Sequence, residues 1–430
     1  MDLNNDPVDH IDEKDLGEHI HALVRRLYPI CRSITGDGLR KTLRIINSYA
    51  ALEIREVPSG SRAYDWQIPR EWNVRDAYIR DSLGNRVVDF KKNNLHLMGY
   101  SVPVNKKAKR EELLGHLHTM PEHPDWIPYR YSYYKDDWGF CLSDNALKAL
   151  NEPEYDVYID STLENGHLSY GEAYFPGTSS DEILFSAHAC HPSLCNDNLS
   201  GLAIAAYLAR TIGSKKHRYS YRFLFLPTTI GPLAWLSRNE DKLSRIKHGL
   251  VLACLGDAGI STYQESRIGN ADTDRAMVVA LRDSGTPFNV RPFTPYGYDQ
   301  RQYCSPGFNL PVGCIMRSPN GCYPEYHTSA DNLDFVQPAP LADSFSKILA
   351  TINVLENDYK YLNLRPKGEP QLGRRGLFDK AAELGLMWIL NYSDGHHSLL
   401  DIAEISGHRF TFLKEGADAL VETGLIKQIS

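Results

Sequence analysis

Residues 181–201 constrain this chain more than any other stretch: Asp181-Glu-Ile-Leu-Phe-Ser-Ala-His188-Ala-Cys190-His191-Pro-Ser-Leu-Cys195-Asn-Asp197-Asn-Leu-Ser-Gly201. A short apolar run ends in a histidine, a polar turn with a lone carboxylate follows, and small residues then open a second apolar run that reaches Ile212. Strand, loop and helix in that order, with ligand-type side chains on the loop, is how an α/β sheet presents groups at a strand's carboxyl end. His188 and Asp197 then read in two ways: a hydrogen-bonded pair holding the turn, or the start of a metal site.

The pattern repeats after Tyr170. Apolar runs at 183–187, 221–226, 250–255, 276–280 and 312–316 are expected strands, and 199–212, 233–243 and 341–355 expected helices. Alternation of this kind predicts an α/β fold with a mixed or parallel sheet flanked by helices. Two helical patterns, 16–30 and 38–52, lead in. From residue 56 to about 165 the texture changes to short alternating runs between turn signals such as Val57-Pro-Ser-Gly60, which predicts a β-rich insertion with aromatic clusters at 129–134 and 138–140. Past the linker Arg365-Pro-Lys-Gly-Glu-Pro, three short helical patterns (377–390, 399–405, 412–423) and a closing Gly424-Leu-Ile-Lys-Gln-Ile resemble a winged helix. The expected organisation is therefore 1–60 with 166–364 as the main domain, 61–165 inserted, and 370–430 as the winged helix.

Charge and cysteine usage exclude several roles. At 430 residues and net charge −7 the chain gives no electrostatic reason to expect nucleic acid, and 376–430 carries four basic against eight acidic residues. An acidic winged helix is a protein-contact module, for a partner or a second copy, rather than a groove reader. Eight cysteines without a CxxC pair argue against a disulfide scaffold or a thiolate zinc cage. With no apolar run near the ~18 residues of a membrane span and no secretory leader pattern, a cytoplasmic protein without a membrane partner is expected.

Polar residues just after the expected strands converge on one crevice in such a sheet: His188, the pair Thr228-Thr229, and Asp257, joined by His327 on the loop before the last helix. Two histidines and two aspartates suffice for one zinc, or for two closely spaced ions, with a position left for water. Each has a plainer reading. Asp257 beside Gly256 suits a turn or cap, His327 suits packing under Tyr323 and Tyr326, and Cys190 and Cys195 suit small buried hydrophobes. His191 is as well placed to be a supporting hydrogen-bond partner as a ligand.

Ala187-His188 with Asn196-Asp197-Asn-Leu-Ser-Gly201, the Thr-Thr pair, Gly256-Asp257 and Tyr326-His327-Thr-Ser-Ala-Asp331 follow the order of the zinc aminopeptidase clan that includes bacterial leucyl aminopeptidases and glutaminyl cyclases. More closely, the chain resembles a bacterial aminopeptidase-like family with an inserted domain of unknown function and a C-terminal winged helix. Stretches carrying that likeness include 65–79, 132–141, Tyr298-Asp-Gln-Arg-Gln-Tyr-Cys-Ser-Pro-Gly and Asp394-Gly-His-His-Ser-Leu-Leu. The resemblance implies zinc held by His188, Asp197, Asp257 and His327. It also implies a small-molecule or peptide-conjugate substrate in a biosynthetic setting.

The chain departs from that pattern where the chemistry is decided. The clan's two glutamates, one a general base and one a ligand, fall at Thr228 and Thr229; the closer family has Pro-Glu-Thr-Ile-Gly against Pro227-Thr228-Thr229-Ile230-Gly231. Gln300 stands where the family has an acidic residue, and Cys190 replaces the clan's aspartate that orients the first histidine. A threonine hydroxyl cannot take a proton from water at neutral pH. Three readings follow: an amidohydrolase in which Glu325 or Asp299 replaces the base; a zinc Lewis-acid transferase, cyclase or condensing enzyme; or a metal-binding pseudoenzyme that works through its winged helix. Arg301, Arg317, Tyr134, Lys135 and Trp138 are the candidates for holding substrate, since arginine clamps carboxylates and aromatics exclude water; Tyr134 and Trp138 also suit the core of the insertion.

Overall fold

Apolar runs of the central region become parallel strands in the middle of an eight-stranded sheet. The computed structural model describes residues 13–379, 382 and 384–429. In chain order the strands are β1 (Glu53–Pro58), β2 (His167–Phe175), β3 (Glu182–His188), β4 (Ser220–Leu226), β5 (Ile246–Leu252), β6 (Ser261–Gln264), β7 (Phe288–Arg291) and β8 (Val312–Met316). Across the sheet they run β1-β2-β4-β3-β5-β8-β6-β7. Neighbours β4, β3, β5 and β8 are parallel, so the loops after them leave at one edge. Every residue of β3 and β4 is buried, which is why they read as continuous apolar runs rather than alternating ones. At their far end Arg222 clamps Glu182 through two bonds of 2.7 and 2.9 Å and also pairs with Glu172, which ties β2, β3 and β4 together.

The longer helices of this body among the described residues are α1 (Glu13–Leu27), α2 (Asp37–Ala50), α3 (Gly201–Gly213), α4 (Ile230–Leu236), α5 (Asp272–Asp283) and α6 (Pro338–Asn357). One sheet face is covered by α1, α2, α3, α5 and α6 in a core that continues into the C-terminal unit through Leu386, Phe410 and Leu420. The insertion covers the other face: its Trp72, Tyr100 and Phe140 share a core with Leu184, Leu224 and Val251 of the sheet and with Trp235 of α4. Its sheet is antiparallel, in the order Arg86–Asp89, Glu71–Arg80, Glu154–Glu164, Val104–Lys109.

The expected strand at 276–280 is instead the middle of α5. Five apolar residues do not distinguish helix from strand by themselves. Asp274 decides the matter by accepting from the backbone amides of Ala271 (3.0 Å) and Ser266 (2.8 Å), which fixes the first turn of a helix whose inner face is Ala276, Met277, Val279 and Ala280.

Lys360–Asn363 pairs with Asp394–Ser398 and Ile426–Gln428, so the winged-helix unit begins ahead of the expected boundary at 370. Its helices are α7 (Leu386–Tyr392), α8 (Leu399–Ser406) and α9 (Phe410–Glu422); residues 380, 381 and 383 of the expected 377–390 helix lie outside the described residues. The turn between α8 and α9 is docked on α5. Arg282 donates to the carbonyls of Ala403 (3.0 Å) and His408 (2.9 Å), Asp283 accepts from the Phe410 amide (2.8 Å), and Arg275 pairs with Asp401 (2.5 Å). Among the described residues no helix is long and apolar enough to cross a membrane.

Candidate metal centre

His188 ends β3, and the chain then turns through His191 into the loop 195–200 that opens α3. Gly201 is required there, because a Cβ would fall 2.4 Å from the Leu252 carbonyl oxygen. Side-chain amides stitch the loop to the segment after β5: Asn196 accepts from the Gly256 amide (2.9 Å), and Asn198 donates to the Leu252 carbonyl (2.9 Å) and accepts from the Cys254 amide (3.2 Å). From the other side, Asp331 accepts from the amides of Asn196 (2.5 Å) and Asp197 (2.9 Å). Asp197 is thus held at both its backbone and its side chain.

Its carboxylate is the hub of the site. Asp197 Oδ1 lies 2.8 Å from His188 Nε2, and Oδ2 lies 2.9 Å from His327 Nε2 and 3.8 Å from His191 Nε2. Ligand atoms of His188, His191 and Asp197 all fall within 4.8 Å of one another. Burial opposes ionisation of Asp197, but His191, His188 and His327 together hold its carboxyl well below the usual range. Burial pushes His191 down to about 3, aided by His188 and His327, so this imidazole stays neutral with a lone pair to give. His327 sits at φ 57°, a left-handed backbone that costs a residue with a side chain about 1–3 kcal/mol and is held by its surroundings.

Tyrosines wall the cluster. The Tyr298 ring stacks on His188 with centroids 5.6 Å apart, Tyr326 stacks on His327 at 4.0 Å, and Tyr129 from the insertion lies 5.2 Å from His327 and 5.3 Å from His191. The insertion reaches the site by pairing with the loop that carries His327: the Tyr129 amide donates to the His327 carbonyl (2.8 Å) and the Ser329 amide to that of Ile127 (2.8 Å). Tyr131, 47% exposed and stacked on Tyr133 at 4.0 Å, forms the rim.

The remaining candidates divide. Asp257 is not brought to the cluster; its oxygens accept from Asn196 (2.8 Å), the Gly259 amide (2.7 Å) and the Ser318 hydroxyl (2.6 Å), so it fastens the turn after β5. Cys254, two residues after β5, is within electrostatic reach of Asp197, its sulfur 2.8 Å from the Tyr298 hydroxyl and 3.3 Å from that of Tyr323. Thr228 donates to Asp299 Oδ1 at 2.6 Å. Asp299 is fully buried, its other oxygen has no partner, and burial raises its pKa against the pull of His188 and Thr228. Thr229 accepts from Arg301 at 2.9 Å. Glu325 enters through its carbonyl, which accepts from Thr328. Arg317 pairs with Asp343 of α6 (2.5 Å), Trp138 stacks on His116 within the insertion (3.7 Å), and Tyr134 and Lys135 are exposed, Tyr134 donating to the Gln67 carbonyl (3.1 Å). Asp331 and Tyr129 were legible only as members of quoted stretches; nothing in their spacing marked one as the clamp of the Asp197 loop or the other as a wall.

A protein of Clostridium acetobutylicum, provisionally named for polysaccharide biosynthesis with an aminopeptidase-like domain, is 50% identical over 426 residues, covering 97% of this chain and 98% of its own. A crystal structure of a provisionally assigned peptidase from the same organism matches with a TM-score of 0.94 at 50% identity and 97% coverage of both chains. A zinc aminopeptidase of Bacillus subtilis shares the fold at 11% identity, with a TM-score of 0.58 over 79% of this chain and 95% of its own. Residues 359–428 match the winged helix-turn-helix family. Residues 21–358 match the family described as Domain of unknown function (DUF4910), and the chain belongs to that aminopeptidase-like family.

Proposed function

We propose that the chain is a zinc-dependent, aminopeptidase-like enzyme that hydrolyses a C–N amide bond in a small peptide or amino-acid conjugate, with Asp299 standing in for the missing glutamate base. One observation carries this reading: a fully buried carboxylate of raised pKa, one oxygen fixed by Thr228 and the other without a partner, within electrostatic reach of His188 and Asp197. A base poised closer to neutrality is what proton transfer at neutral pH favours. The relative named for polysaccharide biosynthesis supports a biosynthetic conjugate rather than general proteolysis.

The donor set fits one zinc. Imidazole nitrogens of His188 and of His191 or His327 converge on Asp197, and His191 is kept neutral. A second ion is poorly served, since Thr229 offers a hydroxyl already bonded to Arg301 and Asp257 is saturated. When bound, the ion would polarise the scissile carbonyl and acidify water at the site. Asp299 takes the proton of the attacking water on Oδ2 and returns it to the departing amine nitrogen. Thr228 keeps Oδ1 occupied, so Oδ2 is the reactive oxygen. Tyr129, Tyr298 and Tyr326 limit water around the imidazoles.

The acidic winged helix, with its helix-turn-helix corner fastened to α5, serves the body or a protein partner rather than a DNA groove.

The test is metal analysis of protein purified without chelator, followed by turnover of a chromogenic amide panel. We expect about one zinc per chain, lost in His188→Ala and His327→Ala. Asp299→Asn should keep the zinc and lose ~10²–10⁴-fold in rate. Protein that takes up no zinc refutes the reading.

A further inference from the structure

Arg301 follows Asp299 on the short helix Gln300–Tyr303. Its guanidinium has five N–H donors and gives one each to neutral acceptors, Thr229 Oγ1 at 2.9 Å and the Gly297 carbonyl at 3.1 Å. Among the described residues no carboxylate lies within ion-pairing distance of it. Arg301 is half-buried, and its charge is felt by Asp299 and by the rim residue Tyr131. It is therefore a cation of the crevice with donors to spare.

Of the carboxylates beside the cluster, Asp197 lies between imidazoles, and buried Asp299 has one oxygen bonded to Thr228 and the other reserved for proton transfer. The clan's two glutamates would have balanced the positive side; Thr228 and Thr229 leave that side uncompensated. A free α-ammonium entering here would meet a guanidinium and, with zinc bound, a dication. A carboxylate would instead meet a planar fork able to hold it bidentately.

Building on the zinc-enzyme reading above, we infer that the substrate presents a carboxylate to Arg301 and carries no free α-ammonium, so that the bond cleaved is the amide of an N-acyl amino acid. Water adds to the acyl carbonyl, the C–N bond breaks, and the nitrogen leaves with the proton relayed by Asp299, giving a carboxylic acid and an amino acid. Thr229, which aligns Arg301, is the residue whose identity sets this preference: a glutamate there would neutralise the guanidinium.

Calorimetric titration of the zinc-loaded full chain with N-acetyl-L-alanine, N-acetyl-L-alaninamide and L-alaninamide tests the inference, with zinc content measured on every sample. The carboxylate probe should bind at least ~10-fold tighter than its amide, the scale of one charge-assisted contact. That advantage should vanish in Arg301→Gln and in Thr229→Glu with zinc retained. Equal binding of acid and amide overturns the inference, as does an advantage that survives Arg301→Gln, since the carboxylate would then sit on the metal alone. Tightest binding by L-alaninamide, abolished in Glu325→Gln, overturns it in favour of an ammonium site. These results leave the zinc reading standing, whereas a chain that binds no zinc removes both.

Discussion

Thr228→Glu in an Asp299→Asn background tests whether the base has moved by one side chain. Thr228 Oγ1 and Asp299 Oδ1 are 2.6 Å apart, so a glutamate at 228 brings its carboxylate to about 4 Å from Asp299. At an effective dielectric of about 20, two like charges at that distance repel by about 4 kcal/mol, equivalent to about 3 pKa units. Thr228→Glu alone therefore makes a pair that shares a proton and titrates in two steps about 3 units apart, so its pH–rate profile should gain a second limb on the alkaline side. Asp299→Asn alone should lose ~10²–10⁴-fold. The double variant carries one uncrowded carboxylate at the family's usual position and should recover much of that loss, with a single acid limb. The assay is turnover against pH with zinc measured in each variant. A double variant as inactive as Asp299→Asn, zinc present in both, would refute the idea that Asp299 replaces the base.

Burial raises the Asp331 carboxyl to about 8, so Asp331→Asn keeps both shape and charge at neutral pH but turns an amide group toward one of the two backbone N–H donors of Asn196 and Asp197; an unpaired buried N–H amounts to about 1–3 kcal/mol. Chemical denaturation should show that loss, and zinc affinity should fall ~10–100-fold, as for other residues that support ligands; unchanged values in both would show that Asp331 does not clamp the loop. Burial opposes ionisation of Glu71, but Arg40 (2.5 Å) and the His167 amide (2.9 Å) hold its carboxyl down to about 2. A depressed carboxyl stabilises above its unfolded pKa and loses that contribution as pH falls, so Glu71→Gln should cost about 1 kcal/mol at neutral pH, discounted for exposure, with the difference from wild type closing between about pH 4.5 and pH 2 in urea titrations. A difference that stays constant across that window would count against the Arg40–Glu71 clip. Full-length chain should give a flat mobility-shift titration with duplex DNA at low salt, because the amino-terminal end of α9 that would enter a groove is capped by Asp283; salt-sensitive retardation would contradict the docked arrangement.

The sheet and three of the cluster's residues were legible because their signals are local. Continuous apolar runs mark buried parallel strands, and a histidine at a strand's end with an Asp-Asn turn marks the loop after it. Asp257 was harder, because a strand-final aspartate and one drawn into a turn look alike; Asn196 and Ser318, distant in sequence, help decide it. The apolar run of α5 does not by itself show a helix, because its capping aspartate is bound by Ser266, outside that run. The role of Tyr129 was illegible since it depends on a pairing between residues 127–129 and 327–329, some two hundred positions apart.

That pairing makes the insertion and the His327 loop one heritable unit. Any exchange of the inserted domain between relatives replaces the wall of the site together with the strand partner that fixes the His327 backbone, so grafts that keep 127–133 with 323–331 should transfer selectivity, and grafts that divide them should misplace His327. The inserted domain is thus the mould in which this side of the site is cast.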